Sequence, residues 1–306
     1  MELVVKLADQ ILTVESITEL LPWTYTQTYD LVQRAYTRSI LNKVIEDGIE
    51  KYSSANFYER LNHFAKFENW GDIPYQDRQI INRSFLDQFI NKHTANIARK
   101  MRGLEAENAL PNDTVMLLSE VEAMIDKATD IVVQPCDCRK LGENCNKPLE
   151  TCIWLDESAR NTLDRGVGRK LTKSEAKELL RWADKKGLMH TADSEWQSRG
   201  LHAICNCCAC DCYPFRAAQE LGSKGVWPKS RYIVAHDREL CDQCGACVKR
   251  CHFDAFYHDG STVEVNGKSK QGVEFDPQKC WGCGLCANTC PENAIQMVQL
   301  EDSLQV

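Results

Sequence analysis

Cys241-Asp242-Gln243-Cys244-Gly245-Ala246-Cys247-Val248-Lys249-Arg250-Cys251 and Cys280-Trp281-Gly282-Cys283-Gly284-Leu285-Cys286-Ala287-Asn288-Thr289-Cys290 write one C-x2-C-x2-C-x3-C spacing twice, the second followed by Pro291. Three closely spaced thiolates on one loop wrap a face of a [4Fe–4S] cubane. The fourth cysteine of each run cannot close that loop comfortably. Gly245 and Gly284 fall at matching points, where a bulky side chain is expected to crowd the sulfides. The flanks repeat as well, from Asp237 to Ala255 and from Asp276 to Ala294. Between them, Gly260, Gly267 and Gly272 with alternating Val263 and Val265 predict a hairpin.

This block, residues 236–298, resembles the two-cluster bacterial ferredoxins. The resemblance implies that each fourth cysteine ligates the other cluster. Carried over, one [4Fe–4S] cluster takes Cys241, Cys244, Cys247 and Cys290, and the other takes Cys280, Cys283, Cys286 and Cys251. One departure is His252 at the position of Pro291, which should relax the turn without removing a ligand. Zinc needs four ligands of tetrahedral reach and has no use for the doubled pattern.

All 17 cysteines follow Pro135, in a chain of 306 residues with 43% hydrophobic and 26% charged side chains. Such a chain can bury a sizeable core in two or three domains. A net charge of −7 argues against a general nucleic-acid binder. The start, Met1-Glu2-Leu3-Val4-Val5, has no basic lead and is soon interrupted by Lys6 and Asp9, so no export signal is expected. No apolar run reaches the length that spans a bilayer. With spacings this short and regular, the expectation is metal thiolates in a reducing cytoplasm, that of an anaerobe, rather than disulfides.

The cysteine-free part, residues 1–130, reads as helical. Ser16-Ile17-Thr18-Glu19 has capping-box form ahead of a short helix limited by Pro22. Thr24-Tyr25-Thr26-Gln27 opens a second, with Val32, Ala35 and Tyr36 on one face. Residues 39–44, then Gly48 and Tyr52, complete the order of a winged helix. The would-be reading helix carries only Arg34 and Arg38 against Asp30, too few cations for phosphate contact, so packing or partner docking is the better reading. Further helices are expected over Leu61–Phe67, Phe85–Met101 and Thr114–Ala128.

Residues 131–235 form a cysteine-rich middle. Ile131-Val132-Val133 reads as a buried strand, and Thr172-x-x-Glu175 caps a helix through Ala176, Leu179, Leu180 and Ala183 that Gly187 stops. Cys136, Cys138, Cys145 and Cys152 make one set of metal ligands, and Cys205, Cys207, Cys208, Cys210 and Cys212 another. Together they suffice for one or two further [4Fe–4S] clusters, with structural zinc as the alternative. Cys207 and Cys208 project in different directions if extended, and so either serve different centres or leave one thiol free. Arg139 either balances cluster charge or pairs with Asp137.

Pro135-Cys136-x-Cys138-Arg139, Asn146-Lys147-Pro148-Leu149-Glu150-Thr151-Cys152, Gly166-x-Gly168-Arg169, Glu175-Ala176 and Ile204-Cys205-Asn206-Cys207-Cys208, ending in the paired runs, resemble a group of anaerobic 4Fe–4S-binding proteins with helical or winged-helix N-termini. Members often carry a further cysteine where this chain has Asp211, a departure that bears on any ligand role there. The resemblance implies iron–sulfur electron transfer and no particular substrate.

The expected fold is α+β: a winged-helix-like domain over 1–130, the cysteine-rich domain over 131–235, and a two-cluster ferredoxin domain over 236–306. The expected function is one-electron transfer with a redox partner protein or oxidoreductase complex, toward which the acidic balance favours basic docking patches. Two alternatives stand beside it. One is a reductase whose middle cluster has an open iron, and the other a redox-sensing regulator acting through the winged helix. No catalytic residue is assigned, and no nucleotide-binding loop is present. His63, His93, His190, His202, His236 and His258 read as surface or core, and Trp182, Trp196, Trp227 and Trp281 as packing. Trp281, inside the second loop, is placed to shield its cluster from water.

Overall fold

The computed structural model describes residues 2–107, 110 and 114–300. Helices Glu2–Leu7, Val14–Leu20 and Tyr25–Thr37 lead into a hairpin of strands Leu41–Glu46 and Ile49–Ser54. Its turn residues, Asp47 and Gly48, both have positive φ, the geometry that matches the twist of a tight hairpin. Leu12 pairs with Tyr52 through both backbone bonds and ties the first loop to the hairpin. Leu7, Ile17, Val32, Leu41 and Tyr52 are fully buried between them. The first capped helix begins earlier than the Ser16 reading, at Val14. Thr13 is its N-cap, and its hydroxyl accepts the Ser16 N–H.

Helices Phe57–Phe67 and Tyr75–Met101 follow. They enclose Leu61, Trp70 and Leu86 together with Leu141 and Tyr213 from the cysteine-rich segment. The helix expected to open at Thr114 does not. Thr114–Met116 is a strand, buried at every position, and the helix is Leu118–Lys127. Two forces set that boundary. Val115 is β-branched and fits the sheet, and the Glu120 carboxylate accepts the Leu117 N–H at 2.8 Å, capping the helix there.

That strand is the edge of a six-stranded antiparallel sheet, ordered Thr114–Met116, Met189–Ala192, Ala203–Cys207, Glu150–Leu155, Ile131–Pro135 and Arg169–Lys170. Helices Leu118–Lys127 and Lys173–Lys185 cover it through Val121, Met124, Ile125, Ala176 and Leu180, packed on Ile131, Val133, Ile153, Leu155 and Ile204. The Thr172–Glu175 capping box forms as its sequence implies. Residues N-terminal to 130 therefore share a sheet and a core with the cysteine-rich segment.

At the C-terminal end, Tyr232–His236 pairs antiparallel with Ile295–Gln299. The inserted hairpin, Phe256–Val265 and Lys268–Phe275, turns at Asn266 and Gly267, again both at positive φ. This block docks on the end of the Lys173–Lys185 helix. Arg250 donates to the carbonyls of Lys185, at 2.7 Å, and Asp184, and the His252 ring nitrogen Nε2 sits 2.6 Å from the Gly187 carbonyl. Lys147 donates to the Lys186 carbonyl at 2.6 Å. Helix C-terminal carbonyls lack intrahelical partners and carry the negative end of the dipole, so cations belong there. No described helix is long and apolar enough to cross a membrane.

Candidate metal centres

None of the 17 cysteines is in a disulfide. In the C-terminal block the two loops exchange one sulfur each. Cys241, Cys244, Cys247 and Cys290 line a single pocket, partly open to solvent, with Gly245, Val273 and Ile295. Cys251 lies instead among Cys280, Cys283 and Cys286, whose thiols it pushes up by charge after burial has done so first. Burial pushes Cys247 and Cys283 up to about 12. Thiols held that high need a cation or cluster to ionise them. The chain supplies donors toward the sulfurs: the Ala255 N–H to Cys251 at 3.2 Å and the Gly282 N–H to Cys280 at 3.4 Å. Such bonds tune cluster potential. The thiol groupings and the N–H donors are of the kind that suits iron–sulfur clusters.

Gly245 and Gly284 have φ of +70° and +78°, the left-handed backbone conformation that favours glycine, and among protein atoms a Cβ would meet the His258 ring or Leu117.

The nine remaining cysteines do not stay in their sequence sets. Cys136 contacts Cys138 and Cys152, and Cys138 contacts Cys212. Cys152 contacts Cys205, and Cys207 contacts both Cys205 and Cys212, the latter at 3.2 Å. Six thiols thus close into one ring: Cys136 and Cys138 after strand Ile131–Pro135, Cys152 on strand Glu150–Leu155, Cys205 and Cys207 on strand Ala203–Cys207, and Cys212. Contacts with Cys138 and Cys152 draw the Cys136 thiol well down. Burial opposes ionisation of Cys212, yet Cys138 and Cys207 bring it down to about 6. The other three, Cys145, Cys208 and Cys210, gather with Asp211. Cys207 and Cys208 point into different groups, as alternation along an extended chain requires.

Arg139 lies between the two groups. It is 2% exposed and faces the sulfurs of Cys136, Cys208 and Cys152. Its guanidinium donates to the Asn206 carbonyl at 2.9 Å and to the Thr151 hydroxyl, while Nε, buried, has no hydrogen-bond partner. Asn206 is itself fixed by the Thr151 carbonyl at 2.6 Å and by His190 Nδ1 at 2.7 Å. Of the two roles open to Arg139, no described contact pairs it with Asp137. A buried guanidinium among thiols is a counter-charge. Its place in Cys136-x-Cys138-Arg139 was its sequence signal; Asn206 and Thr151 stood in the quoted motifs without an assigned role.

The ring and the C-terminal block meet in one apolar cluster. Cys207, Cys212, Phe215, Trp281 and Leu285 are buried together, with Phe253 and Cys283 packed against them. Trp281 stacks on Phe253 at 4.7 Å between centroids and tilts against Phe215 at 5.2 Å. Trp281 and Trp227 are buried, but Trp182, expected to pack, is 42% exposed. Phe215 and Phe253 carry no motif and were missed by sequence reasoning.

Residues 240–294 match the protein family described as "4Fe-4S dicluster domain". The comparisons with curated proteins and with solved structures found no match. The C-terminal block is thus a ferredoxin-like 4Fe–4S domain, and the cysteine groups upstream are suited to binding metal.

Proposed function

We propose that the chain is an iron–sulfur electron-transfer protein that exchanges single electrons with a redox partner. A [4Fe–4S] cubane supplies reversible one-electron chemistry when bound. Cys241, Cys244, Cys247 and Cys290 would hold one, Cys280, Cys283, Cys286 and Cys251 a second, and four of the six ring thiols a third. The observation that carries the reading is the shared apolar cluster. Phe215, Phe253 and Trp281 exclude water between Cys283 of the ferredoxin-like domain and Cys207 and Cys212 of the ring. At the far end Cys244 is exposed, which gives a partner access to the first group.

The N-terminal residues would form a winged helix, as the three helices, the hairpin and the Leu12–Tyr52 bridge support. We read it as a partner-docking domain, because Arg38 is bound to Glu68 at 2.6 Å and is not free for phosphate. The proposed units are that domain, the sheet with its cysteine groups, and the ferredoxin-like domain.

Anaerobic iron and sulfide assays with a reductive titration test the function. About twelve irons, twelve sulfides and three electrons per chain are expected, with mutually broadened EPR signals. About eight irons, with the ring filled by zinc, would overturn the extended path.

A further inference from the structure

We propose that Cys145, Cys208, Cys210 and Asp211 form a binding site for a single tetrahedral zinc ion, separate from any iron–sulfur cluster. The spacing of the ligand atoms carries the assignment. The three sulfurs and a carboxylate oxygen all lie within 4.8 Å of one another. Cys145 Sγ is 3.7 Å from Cys208 Sγ, and Asp211 Oδ2 is 3.0 Å from Cys145 Sγ and 3.8 Å from Cys208 Sγ. A tetrahedral zinc with bonds of about 2.3 Å to sulfur and about 2.0 Å to oxygen sets these edges at about 3.8 Å and about 3.5 Å. A cubane puts four irons between its thiolates and holds them much farther apart. The ferredoxin-like domain shows that contrast within the same molecule. Among the described residues, no three of its sulfurs come within 4.8 Å of one another; in the ring, Cys136 and Cys138 do so with Asp137, one ligand atom short of a tetrahedral set.

The carboxylate is built into the site. Asp211 is fully buried. Its other oxygen, Oδ1, accepts from the Asn144 N–H at 3.0 Å and the Asn144 side-chain amide at 2.9 Å, which leaves Oδ2 for the sulfurs. Outer hydrogen bonds of this kind aim a ligand and raise metal affinity. Gly142 makes the space: a Cβ there would stand 2.1 Å from Asp211 Oδ1. Three thiolates and a carboxylate exceed the charge of a divalent ion, and the Arg139 guanidinium beside Cys208 offsets the excess. The donor set, soft sulfur with one oxygen in tetrahedral array, suits zinc. Bound there, the ion would pin the loop carrying Cys145 to the turn carrying Cys208 and Cys210, at the buried face of Ala183 and Leu188.

The test uses full-length protein purified anaerobically without chelator, with its iron intact. Elemental analysis should return about one zinc per chain, and zinc K-edge absorption about three sulfurs near 2.3 Å and one oxygen near 2.0 Å. Cys145→Ser and Asp211→Ala should lose zinc and keep iron and sulfide. Asn144→Ala should weaken zinc about 10–100-fold in competition with a chromophoric chelator. No zinc in the native protein, a shell of four sulfurs, or loss of iron and sulfide with Asp211→Ala would each overturn the site. The native spectrum alone decides if the variants misfold. A failure here leaves the three-electron titration untouched.

Discussion

In the ferredoxin-like domain three sulfurs of each group follow the C-x2-C-x2-C spacing of one run, while the place of the fourth was implied by the resemblance alone. In the middle segment, cysteines adjacent in sequence part company. Cys207 joins a ring of six while Cys208 joins Cys145, Cys210 and Asp211. The difference lies in what spaces the sulfurs. A tight loop with positive-φ glycines fixes three thiols by local geometry, so sequence distance predicts spatial distance. In the middle, strands and long connections deliver the thiols, so the sheet decides which of them meet.

The largest effects should expose that difference directly. Cys290→Ser is expected to remove about four irons and to abolish the EPR signal of the group headed by Cys241, not the group of its own loop. Loss of the signal belonging to Cys280, Cys283 and Cys286 would break the crossed pairing. In the ring, six thiols face a four-ligand cubane, so at least two of the six single Cys→Ser variants should keep full iron. Iron loss in all six would mean a larger cluster that uses every sulfur.

Arg139→Met should come next. Removing a buried cation from among thiolates costs about 3–5 kcal/mol, read as an earlier urea midpoint under anaerobic conditions. The middle centre should also become harder to reduce, with a more negative midpoint potential, while the ferredoxin-like signals stay in place. A variant of unchanged stability and potential would remove Arg139 as the counter-charge.

Gly142→Ala is a smaller change, worth about 1–3 kcal/mol of overpacking, because the new methyl meets Asp211. Gly260→Ala is its control within the other region: nothing stands near its Cβ, and only its positive φ costs anything, about 1–2 kcal/mol. Metal retention separates the two, since only the first should disturb Asp211.

The last effect lies outside both regions. Burial lowers the pKa of His63 to about 4. As pH falls from about 6.5 toward 4, the unfolded chain takes a proton that the folded one refuses, so stability declines across that window and levels below it. His63→Gln should flatten that slope in urea titrations of the full chain. An unchanged slope would assign it to other groups.

How much was legible follows the same division. The doubled spacing at Cys241–Cys251 and Cys280–Cys290, the hairpin at Asn266-Gly267 and the capped helix after Thr172 are local signals, and the structure has all three. Thr114–Met116 was misread because Thr114 resembles a helix start, and only its pairing with Met189–Ala192 makes it a strand. The sixfold ring was out of reach for the same reason. Nothing near Cys152 records that Cys205 lies beside it; that neighbour is set by Ile153 pairing with Ile204. Asp211 was set aside because it is not a cysteine, although its ligand geometry depends on Asn144, far away in the chain.

His252 gives the broken repeat a purpose. Where the second run turns on Pro291, the first has a side chain that reaches Gly187, next to Arg250 on Lys185 and Asp184. The joint grips main-chain oxygens, which every residue possesses, and adds the Asp184 carboxylate, which accepts from Asn288 at 2.8 Å. Away from Asp184, substitutions along the Lys173–Lys185 helix can therefore accumulate without removing the main-chain contacts. In the proposed electron path the gap between centres sets the rate, and a joint of this kind would hold it steady while the surface around it drifts.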